Sequence, residues 1–217
     1  MSSKRLTYYG EAVEITFDPK ACIHQGECVR GNDRVFNPVR KPWINANGAS
    51  ADEVTAIVAR CPSGALQVRR ADGGPAAPPP TENVITVSPY GPLFVSGNLR
   101  MSLADGSEIK DATRMALCRC GASSNKPFCD NSHVGAEFGD SGAVDADCRQ
   151  DAASGEGELK LRCAPNGPIM AAGPMRLRAG SGRDAMVDQR AFLCRCGASK
   201  NKPFCDGTHS EIGFLAE

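Results

Sequence analysis

The sequence predicts an α+β protein with a small N-terminal part and a larger, duplicated, mainly β part behind it. Three observations carry this reading. Two sixteen-residue blocks, 118–133 and 194–209, agree at 13 positions, and every matching residue is displaced by 76. The stretch ADGGPAAPPP at 71–80 cannot enter a helix or a central strand. The eleven Cys and three His fall into three groups of three Cys and one His, with Cys148 and Cys163 left over.

The elements follow in chain order. Val13, Ile15 and Phe17 alternate as a half-buried strand. Ser50 to Glu53 forms a capping box, and Val54, Ile57, Val58 and Cys61 follow on one helical face until Pro62 blocks continuation. Residues 1–70 therefore form one unit. Residues 71–80 read as a semi-rigid linker spanning up to about 30 Å when extended. Beyond it the 76-residue offset extends upstream of the blocks: Gly91-Pro92-Leu93 maps onto Gly167-Pro168-Ile169, Gly97 onto Gly173, Glu82 onto Glu158. A register held this long means a duplicated unit, with repeats at 81–156 and 157–217. Val84–Val87, Leu93–Val95, Leu99–Leu103 and Met115–Cys118 read as short strands separated by Gly-containing turns.

Composition narrows the function. The 217 residues carry 25 basic and 25 acidic side chains, so the chain lacks the bulk positive field of a nucleic-acid binder. Hydrophobic residues make up 41% and aromatics 6%, beside 23 Gly and 15 Pro, which suits a loop-rich protein with modest cores. No apolar run approaches membrane-helix length and the first residues show no signal-peptide core, so a cytoplasmic protein without membrane partner is expected. An odd number of thiols in a reducing compartment points to metal before disulfides.

In each repeat the donors are Cys118, Cys120, Cys129 and His133, then Cys194, Cys196, Cys205 and His209. Cys-x-Cys holds two thiolates close together on an extended segment. Cys-Asp-x-x-His puts a thiolate at the mouth of a helix, with Asp130 and Asp206 as N-caps and the imidazole in the first turn. Pro127 and Pro203 fix φ just ahead. Three thiolates and one imidazole suit a structural Zn2+ or an iron–sulfur cluster, though zinc fingers favour wider Cys pairs.

The pattern Cys-x-Cys-x2-Ser-x3-Pro-x-Cys-Asp-Gly-Thr-His at 194–209 resembles the CDGSH, or NEET, iron–sulfur domain. That resemblance implies a [2Fe–2S] cluster on three Cys and one His in each repeat. It also implies a NEET-type pseudo-dimer within one chain, so a monomer with internal twofold symmetry and short helices at the clusters. Asn131 departs from the family's Gly, a substitution that positive φ tolerates. One imidazole in place of a thiolate raises the potential above that of plant-type ferredoxins. It also makes both clusters labile as pH falls through about 6.5, and His209→Cys is expected to resist acid better.

In the first unit, DPKACIHQGECV and CPSGAL resemble single-cluster ferredoxins, particularly the divergent [4Fe–4S] mono-cluster domain. The resemblance implies a ferredoxin-like fold and a cluster on Cys22, Cys28 and Cys61. Gln25 stands where a further Cys would be, so either His24 completes a [4Fe–4S] site or the three Cys hold [3Fe–4S]. Cys163 reads as a small core residue closing LKLRC. No Rossmann, Walker or nucleophile-elbow motif is present, and no histidine is left for acid–base work. The expected function is electron transfer with a redox partner protein, without enzymatic activity. Two alternatives are cluster storage and delivery to apo-acceptors, and an accessory role in an oxidoreductase.

Overall fold

The computed structural model describes residues 5–76, 80–145 and 157–216; Cys148 lies outside them. The chain divides into two compact units, 1–78 and 79–217, with the boundary inside the proline-rich stretch. It is α+β, with nine strands and four short helices among the described residues.

The first unit is a three-stranded antiparallel sheet, β1 (Leu6–Tyr9), β2 (Val13–Phe17) and β3 (Leu66–Arg70), in the order β1-β2-β3. Helix α1 (Glu27–Gly31) and helix α2 (Ala51–Ala59) complete it. The expected alternation appears in β2, where Val13 and Ile15 are buried. Ser50 Oγ accepts the Glu53 amide at 3.3 Å, so the helix begins at its sequence signal. Val54, Ile57 and Val58 pack on Val13, Ile15, Phe36 and Ile44 in a core of this unit. Cys61 falls just past the helix end, its amide bonded to the Val58 carbonyl in a tighter last turn.

The second unit contains β4 (Val84–Val87), β5 (Leu93–Ser102), β6 (Glu108–Leu117), helix α3 (Ser132–Gly135), β7 (Leu159–Cys163), β8 (Ile169–Arg178), β9 (Asp184–Leu193) and helix α4 (Thr208–Glu211). The expected short segments at 93–95 and 99–103 are one continuous strand. Gly97 is a bulge and not a turn: at φ 146° it lets Asn83 come so close that a Cβ would lie 2.1 Å from its side-chain oxygen. Asn83 bonds the Asn98 amide, Gly157 and Pro174, sealing the bulge from the neighbouring repeat. Likewise Met115–Cys118 is the end of a longer strand, β6.

The pairing is reciprocal at the 76-residue offset. β4 pairs antiparallel with β5 of its own repeat and parallel with β8 of the other; β7 pairs antiparallel with β8 and parallel with β5. Val84 faces Arg176, and their equivalents Lys160 and Arg100 face each other in the same way. The first strand of each repeat therefore sits between hairpins of both. Leu93, Leu117, Leu159, Ile169 and Leu193 share one core built from both repeats. Cys163, 2% exposed, belongs to that core, as expected. No helix among the described residues is long and apolar enough to cross a membrane.

Candidate metal centres

Each hairpin of the second unit delivers its ligands by the same clamp. Cys118 directly follows β6, and its amide bonds the Pro127 carbonyl at 2.8 Å while the Cys129 amide bonds the Ala116 carbonyl at 2.9 Å. The second repeat reproduces this with Cys194 to Pro203 and Cys205 to Phe192, both 2.8 Å. The loop between is pinned by a hydroxyl: Ser123 Oγ donates to the Phe128 carbonyl at 2.6 Å, and Ser199 Oγ to Phe204 at 2.7 Å.

The aspartates are not N-caps in the expected place. The residue before each helix is Asn131 or Gly207, in the left-handed region at φ 71° and 90°, and the Asp lies one position further out. Asp130 still accepts the Ser132 amide at 3.0 Å and the Ser124 amide at 2.8 Å; Asp206 accepts those of Thr208 and Lys200. The intervening left-handed residue turns the Asn131 amide onto Cys129 Sγ at 3.4 Å. An N–H aimed at sulfur stabilises the thiolate a metal needs.

In the first repeat the donors come in pairs. Cys118 and Cys120 Sγ are 3.6 Å apart, and Cys129 Sγ lies 3.5 Å from His133 Nδ1. In the second, Cys194 and Cys196 are 3.7 Å apart, while His209 Nδ1 lies 3.3 Å from Ser210 Oγ. Two donors on one tetrahedral metal, with bonds of about 2.3 Å to sulfur and 2.0 Å to nitrogen, are separated by about 3.5–3.8 Å. Each close pair fits one metal. Among the described residues no three His, Cys, Asp or Glu side chains are placed to hold a single ion.

The protons on these donors are held unequally. Hydrogen bonding from Cys120 brings the Cys118 thiol down to about 6, and the same contact with burial pushes Cys120 up. Burial pushes Cys129 and Cys194 up to about 11, against the N–H groups that face them. Burial also lowers His133, with the Arg119 charge adding to the effect and Asp130 opposing it. A metal entering either site displaces thiol protons, so loading releases acid.

Two features had escaped the sequence reading. The residue between the paired cysteines is an arginine in both repeats, Arg119 and Arg195, and each is only 1% exposed. Arg119 donates to the Gly91 and Ser88 carbonyls and to the Asp140 carboxylate, and stacks 4.8 Å from the Phe138 ring centre. Arg195 donates to Gly167, Ala164 and Ala216 carbonyls and lies over Phe214. The second feature is a reciprocal backbone contact. A Cβ on Gly121 would lie 2.2 Å from the Cys196 carbonyl oxygen, and one on Gly197 would lie 2.3 Å from that of Cys120; both are left-handed, at φ 80° and 83°. The two ligand loops touch, main chain to main chain. The identical Cys-Arg-Cys-Gly in both blocks was the only signal of either feature.

In the first unit Cys22, Cys28 and Cys61 line one cavity of about 660 Å³, walled by apolar groups including Ile23, Pro42, Trp43 and Leu66. Cys28 lies in α1, Cys61 after α2. The Cys22 and Cys28 thiols are pushed up by burial, opposed by backbone N–H groups of His24 and Val29, and each feels the charge of Cys61. His24 is exposed with φ 52°, and it too lines the cavity.

Residues 8–71 match the family described as a divergent 4Fe-4S mono-cluster. Residues 90–134 and 166–210 each match the iron-binding zinc finger of CDGSH type. The uncharacterized protein YjdI of Escherichia coli K12 is 44% identical over 62 residues, which is 29% of this chain and 82% of that protein. YjdI of E. coli O157:H7 gives the same figures.

Proposed function

The chain belongs to the CDGSH iron-binding family, with two copies of its domain behind a divergent 4Fe-4S mono-cluster domain, and on that premise we propose that it is a multi-cluster electron carrier and not an enzyme. Cys118, Cys120, Cys129 and His133 would hold one [2Fe–2S] cluster, and Cys194, Cys196, Cys205 and His209 the other. The pairwise spacing of the first repeat's donors supports this reading: 3.6 Å and 3.5 Å suit one iron per pair, whereas one zinc needs all four donors around a point. A [2Fe–2S] cluster with one imidazole ligand takes up and returns a single electron at a potential above that of four-thiolate ferredoxins.

The residues around each site orient and screen it. The clamped hairpin fixes the thiolates, buried Arg119 and Arg195 anchor the loops between them, and left-handed Asn131 and Gly207 make the turn that precedes each histidine. Reciprocal strand pairing supports reading the two repeats as an internal twofold pair. In the first unit Cys22, Cys28 and Cys61 would hold a [4Fe–4S] or [3Fe–4S] cluster in their apolar cavity, His24 being the candidate fourth ligand. An external redox protein is the proposed partner.

Cluster delivery to an apo-acceptor is a second reading. It is favoured by one observation, that His209 keeps a hydrogen-bonding neighbour, Ser210, outside the metal donors.

Iron and acid-labile sulfide analysis of anaerobically purified protein, with EPR before and after dithionite, tests the proposal. About seven or eight irons per chain, with reduced [2Fe–2S] signals and a separate third centre, are expected. Colourless protein carrying tetrahedral zinc would overturn it. Transfer of intact clusters to an apo-ferredoxin faster than electron exchange would favour delivery.

A further inference from the structure

On the solvent side of the second unit, the four adjacent strands β5, β7, β8 and β9 line up two rows of side chains. One row is Arg100, Lys160, Ala172 and Arg190; the next is Ser102, Arg162, Met170 and Phe192. They line a groove of about 480 Å³. Lys160, Arg162 and Arg190 are exposed, and Phe192 is 54% exposed. Arg100 pairs with Glu158 and Glu108 lines the groove at the far side of Ser102, but among the described residues no carboxylate forms an ion pair with Lys160, Arg162 or Arg190.

The duplication supplies an internal control. At the 76-residue offset the same two rows are Arg176, Val84, Ser96 and Arg114, then Arg178, Thr86, Phe94 and Ala116. There the central strand is neutral; the acids beside Arg176 and Arg178, Glu82 and Asp184, have counterparts on the first face in Glu158 and Glu108, so the two faces differ in charge at 160 and 162. The fold therefore does not require cations at 160 and 162. Like charges directly opposite one another in a sheet repel, and Arg100 and Lys160 are registered neighbours. Where one face of the duplicated unit carries Val84 and Thr86, the other carries Lys160 and Arg162.

We infer that this β5-β7-β8-β9 face is a docking surface for an acidic protein segment whose apolar side chains run beside its carboxylates. The rows explain both halves of that chemistry. Carboxylates meet the cationic row at Arg100, Lys160 and Arg190, and Arg162 in the next row on the same strand as Lys160. About 7 Å further along the strands, two residues on, apolar groups meet Met170 and Phe192. A nucleic acid would find Met170 and Phe192 where its further phosphates need cations, on a chain whose net charge is zero. The surface adjoins the second candidate centre, since the Phe192 carbonyl accepts the Cys205 amide, but the inference does not rest on any cluster being bound.

The test uses the full isotope-labelled chain and two probes, a short synthetic peptide alternating Glu with Leu and an oligo-dT of equal charge. The peptide is expected to shift the resonances of Lys160, Arg162, Arg190 and Phe192, leave Val84, Thr86 and Arg176 unmoved, and dissociate as salt rises. The double variant Lys160→Val with Arg162→Thr installs the residues the fold already uses at 84 and 86. It should bind the peptide at least about fivefold more weakly while melting at the same temperature or about 2 °C higher. Phe192→Ala should weaken binding with salt dependence retained. Equal or tighter binding of oligo-dT, shifts spread over both faces, unchanged affinity of the double variant, or a fall in its melting temperature would each overturn the inference.

Discussion

Arg119 and Arg195 occupy equivalent places between paired cysteines, yet only one is fully matched. Arg119 meets the Asp140 carboxylate. The residue equivalent to Asp140 is Ala216, and there Arg195 reaches a main-chain carbonyl, with the Cys163 thiol beside it; among the described residues its Nη1 has no nitrogen or oxygen partner. The same asymmetry appears at the imidazoles, where His133 lies against Cys129 and His209 against Ser210. Duplication copied the ligands, the clamps and the buried guanidiniums, but the surroundings have diverged. The first repeat encloses its loop with an ion pair; the second leaves a buried charge partly compensated, which costs stability.

The largest expected effect ignores this difference and tests what the repeats still share. Gly121→Ala and Gly197→Ala each drive a methyl into the other loop's carbonyl at a left-handed position. Each should destabilise the second unit by about 4 kcal/mol or more, read by urea unfolding, and deplete iron from both repeats. Loss confined to one repeat would show that the loops do not support each other.

Removing the ion pair comes next. Asp140→Ala should cost about 2 kcal/mol, less than for a fully buried pair because Arg119 keeps its carbonyl acceptors and Asp140 is partly exposed. The converse, Ala216→Asp, should stabilise by about 1 kcal/mol by supplying the missing carboxylate. If both changes leave thermal denaturation unmoved, the arginine comparison has no energetic content.

The ion pair also has a pH signature. Burial raises the Asp140 carboxyl, but hydrogen bonds from Arg119 and Gly142, with the charges of Arg119 and Lys202, outweigh it and hold the group below the ordinary range. Its contribution is therefore complete above the unfolded value near 4 and is lost as pH falls through the lower folded value. The stability gap between wild type and Asp140→Asn should be constant from about pH 5 to 7 and close below about pH 4 in acid titrations of unfolding.

The smallest effect concerns the left-handed residue before each short helix. Asn131→Gly should stabilise, and Gly207→Asn destabilise, by about 0.5 kcal/mol each, measured by chemical denaturation. Opposite signs at the two sites, with similar size, would mark the turns as interchangeable.

Much of this was legible from local pattern. The alternation at Val13 and Ile15, the Ser50–Glu53 cap and the core place of Cys163 each depend on neighbours a few residues apart, and each appears as read. Where the reading failed, a distant residue intervened. Gly97 looked like a turn until Asn83 was found against it, converting it to a bulge. Asp130 and Asp206 looked like N-caps until the left-handed residue after them shifted the helix start by one.

The amino-acid sequence by itself determined that a Cys-x-Cys and Cys-x3-His set occurs twice and that a third set of thiols precedes it, because candidate ligand chemistry and repetition are written in residue identity and spacing. Only the tertiary structure decided that each repeat's first strand joins the other repeat's hairpin, that Gly121 and Gly197 bring the two loops into contact, and that Arg195 meets the Ala216 carbonyl where Arg119 meets the Asp140 carboxylate. Those facts depend on groups tens of residues apart meeting in one core, and no local period encodes such a meeting.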